Sequence, residues 1–186
     1  MAIALTISSY AQQEPQFSDY KLNISSFNPA FAGFYDGSAM LIHRSQFVGI
    51  EGAPTAINFN INLPVNETMG LGMNIINQSL GVTDETIVTG DYSYSLFTSD
   101  DTMLTFGLKA GVHVLSVDYS RLNIYDEDDI GFMNNIKGEI SPRIGLGFLF
   151  SSPKWFAGLS TPNFLKKNYI LKKQVNNLQD LNIVKT

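Results

Sequence analysis

Between residues 103 and 117 the chain alternates apolar and polar side chains over a run of fifteen residues. Leu104, Phe106, Leu108, Ala110, Val112 and Val114 fall on one side of an extended backbone, and Thr105, Gly107, Lys109, Gly111 and His113 on the other. Successive strand side chains point to opposite faces. One face is therefore continuous and apolar, and the other is polar or bare. Strands of soluble domains usually run about five or six residues. This one is long enough to cross an outer membrane at the usual barrel tilt. The choice for the chain lies between a soluble sheet and a membrane barrel.

The same alternation recurs along the sequence. Residues 38–49 form a candidate strand. Thr55, Ile57, Phe59, Ile61 and Leu63 alternate with Ala56, Asn58, Asn60 and Asn62, the cleanest two-sided pattern in the chain. Met69, Leu71, Met73 and Ile75 alternate with Gly70, Gly72 and Asn74. Thr86, Val88, Tyr92, Tyr94 and Leu96 alternate with Thr89, Asp91, Ser93 and Ser95. Ile140, Ile144, Leu146, Phe148 and Phe150 alternate with Ser141, Arg143, Gly145 and Gly147. Trp155, Ala157 and Leu159 begin one more. No stretch of comparable length has a helical period. The pattern predicts an all-β chain, an antiparallel up-and-down transmembrane β-barrel of outer-membrane type with about seven or eight strands.

The connectors differ in length. Those at 64–66, 98–101 and 151–153 read as tight, and those at 78–84 and 118–139 as longer. In outer-membrane barrels the short turns are periplasmic and the long loops extracellular. That places the amino terminus in the periplasm. Seven strands leave an open sheet whose edge groups have no partner in hydrocarbon. The count predicts an incomplete barrel, with 164–186 a polar tail at a truncation point.

The strands occupy 38–163. Ahead of them, 12–37 carries Pro15, Pro29 and Gly33 without a sustained period and reads as a periplasmic, plug-like segment. Residues 1–11 read as the remnant of a signal peptide. Residues 2–7 are apolar, and Ser9-Tyr10-Ala11 offers small residues where a signal peptidase cuts.

The net charge of −5 argues against a nucleic-acid partner. With no cysteine and two histidines, the chain lacks the residues of a transition-metal site. Asp126-Glu127-Asp128-Asp129 does not follow the spacing of a calcium-binding EF-hand, because Ile130 stands at a ligand position; the run reads as a solvated loop. Gly70-Leu71-Gly72 and Gly145-Leu146-Gly147 lack the third glycine and the helix of a nucleotide site. No Gly-x-Ser-x-Gly occurs, and neither histidine matches a nucleophile by spacing. The chain therefore reads as a non-enzyme that takes no cofactor and no small-molecule substrate.

On the polar faces, Asp91, Lys109, His113 and Arg143 are candidate lumenal residues of an internal salt network. The glycines among them fit a close-packed interior, approached by backbone or side chains from across the barrel. Arg44 is expected to pair with an internal acid such as Asp91, and His43 to sit near an aromatic girdle. Leu104, Phe106, Leu108 and Val112 are candidate lipid-facing residues. Phe34, Tyr35, Tyr92, Tyr94, Phe97, Tyr119, Phe148, Phe150, Trp155 and Phe156 read as interface girdles near strand ends.

Ordered short motifs precede and open the strands. They are Glu14-Pro15-Gln16-Phe17-Ser18-Asp19-Tyr20, Asn28-Pro29-Ala30-Phe31-Ala32-Gly33, His43-Arg44-Ser45-Gln46-Phe47-Val48-Gly49 and Gly52-Ala53-Pro54-Thr55. Gly70-Leu71-Gly72, Asp91-Tyr92-Ser93-Tyr94, Phe106-Gly107-Leu108-Lys109-Ala110-Gly111, and Gly158-Leu159-Ser160 with Pro162-Asn163 follow in order. Together they resemble the PorP/SprF family of type IX secretion system membrane proteins of Bacteroidetes, over residues 12–165. The resemblance implies an outer-membrane barrel working with the type IX secretion and gliding machinery. Its partners would be outer-membrane lipid and either a secretion component or a secreted adhesin. Family members continue past the Pro162-Asn163 region with more strands, which agrees with the expected truncation. Two rival readings remain, a passive outer-membrane pore and a soluble lipocalin-like barrel whose apolar face points inward.

Overall fold

The computed structural model describes residues 23–34, 36–99, 101–121 and 135–165. Seven strands form one antiparallel sheet in which each lies beside its sequence neighbours. They are β1 (Ser38–Ser45), β2 (Thr55–Pro64), β3 (Met69–Leu80), β4 (Thr83–Ser99), β5 (Thr102–Val117), β6 (Ile136–Ser152) and β7 (Trp155–Thr161). The sheet curls into a half-barrel with β1 and β7 as its edges among the described residues. The all-β, up-and-down, incomplete-barrel architecture read from the alternation is the one observed. Among the described residues no helix is long and apolar enough to cross a membrane.

The pairing registers align the alternating residues into transverse rows. One row on the convex face runs Leu41, Phe59, Ile75, Val88, Val112 and Pro142. Another runs Leu63, Leu71, Tyr92, Leu108 and Leu146. Large apolar side chains on this face stand open, including Leu71, Leu108, Ile144 and Phe148. From Leu104 to Val114 the band covers about 33 Å of strand, or about 25 Å of depth at a 40° tilt, the height of an outer-membrane apolar belt. A lipocalin-like lining is the reverse of this arrangement. The concave face carries Asn58, Asn60, Asn74, Thr89, Asp91, Ser93, Thr105, Lys109 and Arg143, all buried.

Apart from Phe59, the convex aromatics gather toward one end. Tyr94, Phe106 and Phe148 share a row, with Phe106 and Phe148 edge to face at 5.4 Å. Phe150 and Trp155 stack beyond them at 5.3 Å. This end carries the tight connections of β2–β3, β4–β5 and β6–β7. Phe34 and Phe156, expected in the girdle, instead pack against Phe31 at 5.4 Å and 5.6 Å on the concave side. Phe156 has the inward parity of β7, so its register decides its side. His43 lies in the convex row of Ile57, Asn77, Thr86 and Val114, at the opposite end from the aromatics, and so is not near the girdle.

Two connections differ from the sequence reading. The expected longer loop at 78–84 is a two-residue turn, because β3 runs to Leu80 and β4 begins at Thr83. Glycine supplies the left-handed corner there, with Gly81 at φ 60°. The candidate strand at 38–49 stops at Ser45, because Phe47 and Gly49 turn left-handed at φ 54° and 97°. A nine-residue connection, 46–54, follows. The expected signal remnant at 1–11, Pro15, Gln16, Phe17 and Tyr20, Tyr35, and the acidic run 126–129 lie outside the described residues.

Candidate functional site: the occupied concave face

The concave face is covered by the chain's own residues 23–34. A short α1 (Ile24–Phe27) and a 3-10 turn, Pro29–Phe31, give this segment its shape. Asn28 sets the turn. Its Oδ1 accepts the Ala30 N–H at 3.0 Å, and Pro29 occupies the first turn position, where no N–H is needed. Asn28 Nδ2 donates outward to the Phe148 carbonyl at 3.1 Å, fastening the turn to β6.

A row of small residues makes the seat. Gly70, Ser93, Gly107, Gly147 and Ser160 stand opposite one another across five consecutive strands. A β-carbon on Gly107 would collide with the backbone of Pro29 and Ala30. One on Gly147 would collide with Asn28 Oδ1, and one on Gly70 with the Ala32 carbonyl. Gly33 crosses Gly70 with φ 66°, a left-handed conformation that suits glycine. The two serines of the row donate to the segment, Ser93 Oγ to the Ala32 carbonyl at 2.6 Å and Ser160 Oγ to the Phe27 carbonyl at 2.9 Å. Ala30, Phe31 and Leu149 are buried together against this seat. What approaches Gly70, Gly107 and Gly147 is thus the amino-terminal segment, whereas Gly111 meets Val88 and Thr89 of β4 and Gly145 meets Thr161 and Pro162.

Residues 25 and 26 return over the polar centre of the sheet. Asn60 Nδ2 donates to Ser25 Oγ at 3.1 Å, Asn74 Nδ2 to Ser26 Oγ, and Lys109 Nζ to the Ser25 carbonyl at 3.3 Å. Lys109 also lies 2.6 Å from Asp91 Oδ1, with both side chains almost wholly removed from solvent. A buried charge left without its counter-ion is strongly destabilising, so the pair stands or falls together. The ammonium meets the carboxylate on one side and the segment's backbone on the other.

Asp91, Lys109, His113 and Arg143 all have concave-face parity, and His113 stands apart from the Asp91–Lys109 pair. His113 Nε2 lies 3.6 Å from Glu85 Oε2, three inward rows from Asp91. Arg44 shares the transverse row of Glu85, so six residues of strand, about 20 Å, separate it from the level of Asp91. The expected Arg44–Asp91 pair is therefore not formed. Leu104, Phe106, Leu108 and Val112 have convex-face parity. Of the motif residues, Asn28, Pro29, Ala30 and Gly33 build the segment. Gln46, Gly49, Gly52 and Pro54 build the β1–β2 connection, and Thr55 opens β2.

Ser25, Ser26, Asn60, Asn74, Ser93 and Ser160 escaped the sequence reading as holders of the segment. Their signal was positional. Ser93 and Gly107 flank one tight turn at matching depth, and Gly147 and Ser160 flank the next.

Among curated proteins and among solved structures, none matches this chain. The family model for the type IX secretion system membrane protein PorP/SprF matches residues 9–184. That match takes in the seated segment and all seven strands, and the chain belongs to the PorP/SprF family of type IX secretion system membrane proteins.

Proposed function

We propose that the protein is a non-enzymatic outer-membrane scaffold of the type IX secretion and gliding machinery. The convex apolar band holds it in lipid with the tight turns and the amino terminus in the periplasm. Its loops or periplasmic side retain a secreted surface adhesin or a periplasmic component of the machine. Lipid tolerates no unpaired sheet edge, so further strands cover β1 and β7 in the assembled protein.

One observation carries the choice of scaffold over diffusion pore. Residues 23–34 lie on the concave face, seated on a row of glycines and serines. An interior filled by the protein's own backbone suits holding better than conduction. The test joins two measurements on the native protein. Purified protein in a planar bilayer should be electrically silent, and cells lacking it should lose surface display of type IX cargo while retaining small-solute permeability. Steady ohmic conductance with unchanged cargo display would replace the scaffold with a pore.

A further inference from the structure

The connection between β1 and β2 is an ordered, apolar tip that none of the described residues covers. Two successive turns build it. The Ile50 N–H donates to the Phe47 carbonyl at 3.1 Å, and the Ala53 N–H to the Ile50 carbonyl at 3.3 Å. Gly49 and Gly52 supply the left-handed third position of each turn, with φ 97° and 74°. The tip is pinned at both ends. The Gln46 N–H donates to the Pro54 carbonyl at 3.0 Å, and the Gly81 N–H of the β3–β4 turn donates to the Gly52 carbonyl at 2.9 Å. A pinned loop has already lost the freedom that binding would otherwise cost.

On this frame Phe47, Val48 and Ile50 are 69%, 86% and 65% exposed, and Leu80 on the neighbouring turn is half-exposed. Phe47 also has a left-handed backbone, at φ 54°, which disfavours a bulky residue by about 1–2 kcal/mol. Intrachain packing does not offset that cost, because the ring is mostly open to its surroundings. Clustered exposed apolar residues of this kind mark interaction surfaces.

Lipid is the wrong cover for them. A polar convex row of Ser45, Thr55, Ser79, Asp84 and Ser116 separates the tip from the apolar band. Immersing the tip would draw the exposed carboxylates of Glu51 and Asp84 into hydrocarbon. Those acids also set the charge of the surface, since neither 46–54 nor 81–82 contains a lysine or arginine.

We propose that the β1–β2 tip is a docking surface for a partner-protein segment whose apolar side chains are flanked by Lys or Arg. This rests on the scaffold reading above and names a surface through which it holds its partner.

The chain has no cysteine, so a single Val48→Cys variant reports on the tip alone. A bulky hydrophilic maleimide is the probe. Labelling is compared between native outer-membrane fragments, open on both faces, and the same protein purified into lipid vesicles. Docking predicts labelling about tenfold slower in the fragments. Protection should vanish after a high-salt wash, and also when Glu51→Lys or Ile50→Ser is added. Equal rates in fragments and vesicles would overturn the proposal, because the tip would then be bare in its native setting. Slow labelling in the vesicles, where no partner is present, would overturn it too, because lipid or the protein's own chain would be the cover. Salt-resistant protection unaffected by Glu51→Lys would remove the basic partner. A Lys154→Cys variant at the tight-turn end separates this from the underlying reading. Its labelling in intact cells would reverse the proposed orientation, whereas the fragment comparison does not depend on orientation.

Discussion

Ala30 lies directly over Gly107, backbone against backbone, with no room between them for a β-carbon. The relationship ties the amino-terminal segment to β5, one of the three long strands of the sheet. It also explains why a strand with so regular an apolar face has glycine on the other. A glycine inside a strand forfeits packing and entropy. Here that loss lets the segment descend onto the sheet and bury Ala30, Phe31 and Leu149.

Gly107→Val should therefore unseat the segment. Overpacking of this kind costs about 1–3 kcal/mol, and the obstructing atoms belong to backbone, so trimming Ala30 to glycine should not restore stability. The midpoint of heat-induced unfolding of the detergent-solubilised protein reads this out. Rescue by Ala30→Gly would mean that side chains, not backbone, meet at Gly107.

The Asp91–Lys109 pair predicts strong non-additivity. Lys109→Met leaves a buried carboxylate uncompensated and removes the donor to the Ser25 carbonyl; Asp91→Leu leaves a buried ammonium. Each single change should cost about 3–5 kcal/mol. The double variant should recover most of that loss, as two apolar side chains share the site. Urea unfolding of all four proteins closes the cycle, and additive losses would mean the charges do not depend on each other.

Asn28 makes two hydrogen bonds with one amide, to Ala30 N–H and to the Phe148 carbonyl. Asn28→Ala should cost about 1–3 kcal/mol for the two together. It should also expose the amino-terminal segment of the membrane-inserted protein to protease sooner than the strands. Unchanged protease resistance would show that the glycine seat holds the segment without this clasp.

The convex band predicts a depth profile. Leu108 lies at the middle of the apolar rows and Leu104 near the aromatic end. Leu108→Arg should destabilise the inserted protein by about 2–4 kcal/mol and Leu104→Arg by about 0–1. Equal penalties at the two positions in a vesicle-folding titration would disagree with the placement of the band.

The strands were legible because their signal is local. In β2 each Asn-apolar step states which side is which, and the register only has to align neighbouring strands. Phe156 and His43 were misread for the opposite reason. Their environment is set by register against distant residues, Phe31 for one and the row of Ile57 and Val114 for the other. The Arg44–Asp91 expectation failed in the same way, since charge alone does not say which transverse row a side chain occupies. The occupant of the concave face was legible only as a segment with no period of its own. Its seat is written once per strand, in Gly70, Ser93, Gly107, Gly147 and Ser160, and becomes a row only when the strands are paired.

The most direct test of the account is an accessibility scan along β5. Single cysteines at residues 104–106, 108, 110, 112 and 113 carry a nitroxide. Gly107, Lys109 and Gly111 are left intact, because a label there would displace backbone or break the buried pair. Collisions with lipid-dissolved oxygen are compared with collisions with an aqueous reagent. The account predicts a period of two, with the even positions, Leu104 through Val112, open to oxygen in the bilayer and the odd positions shielded from it by residues 23–34 and the sheet. A water-soluble protein in which the even positions are closed to both reagents would contradict it.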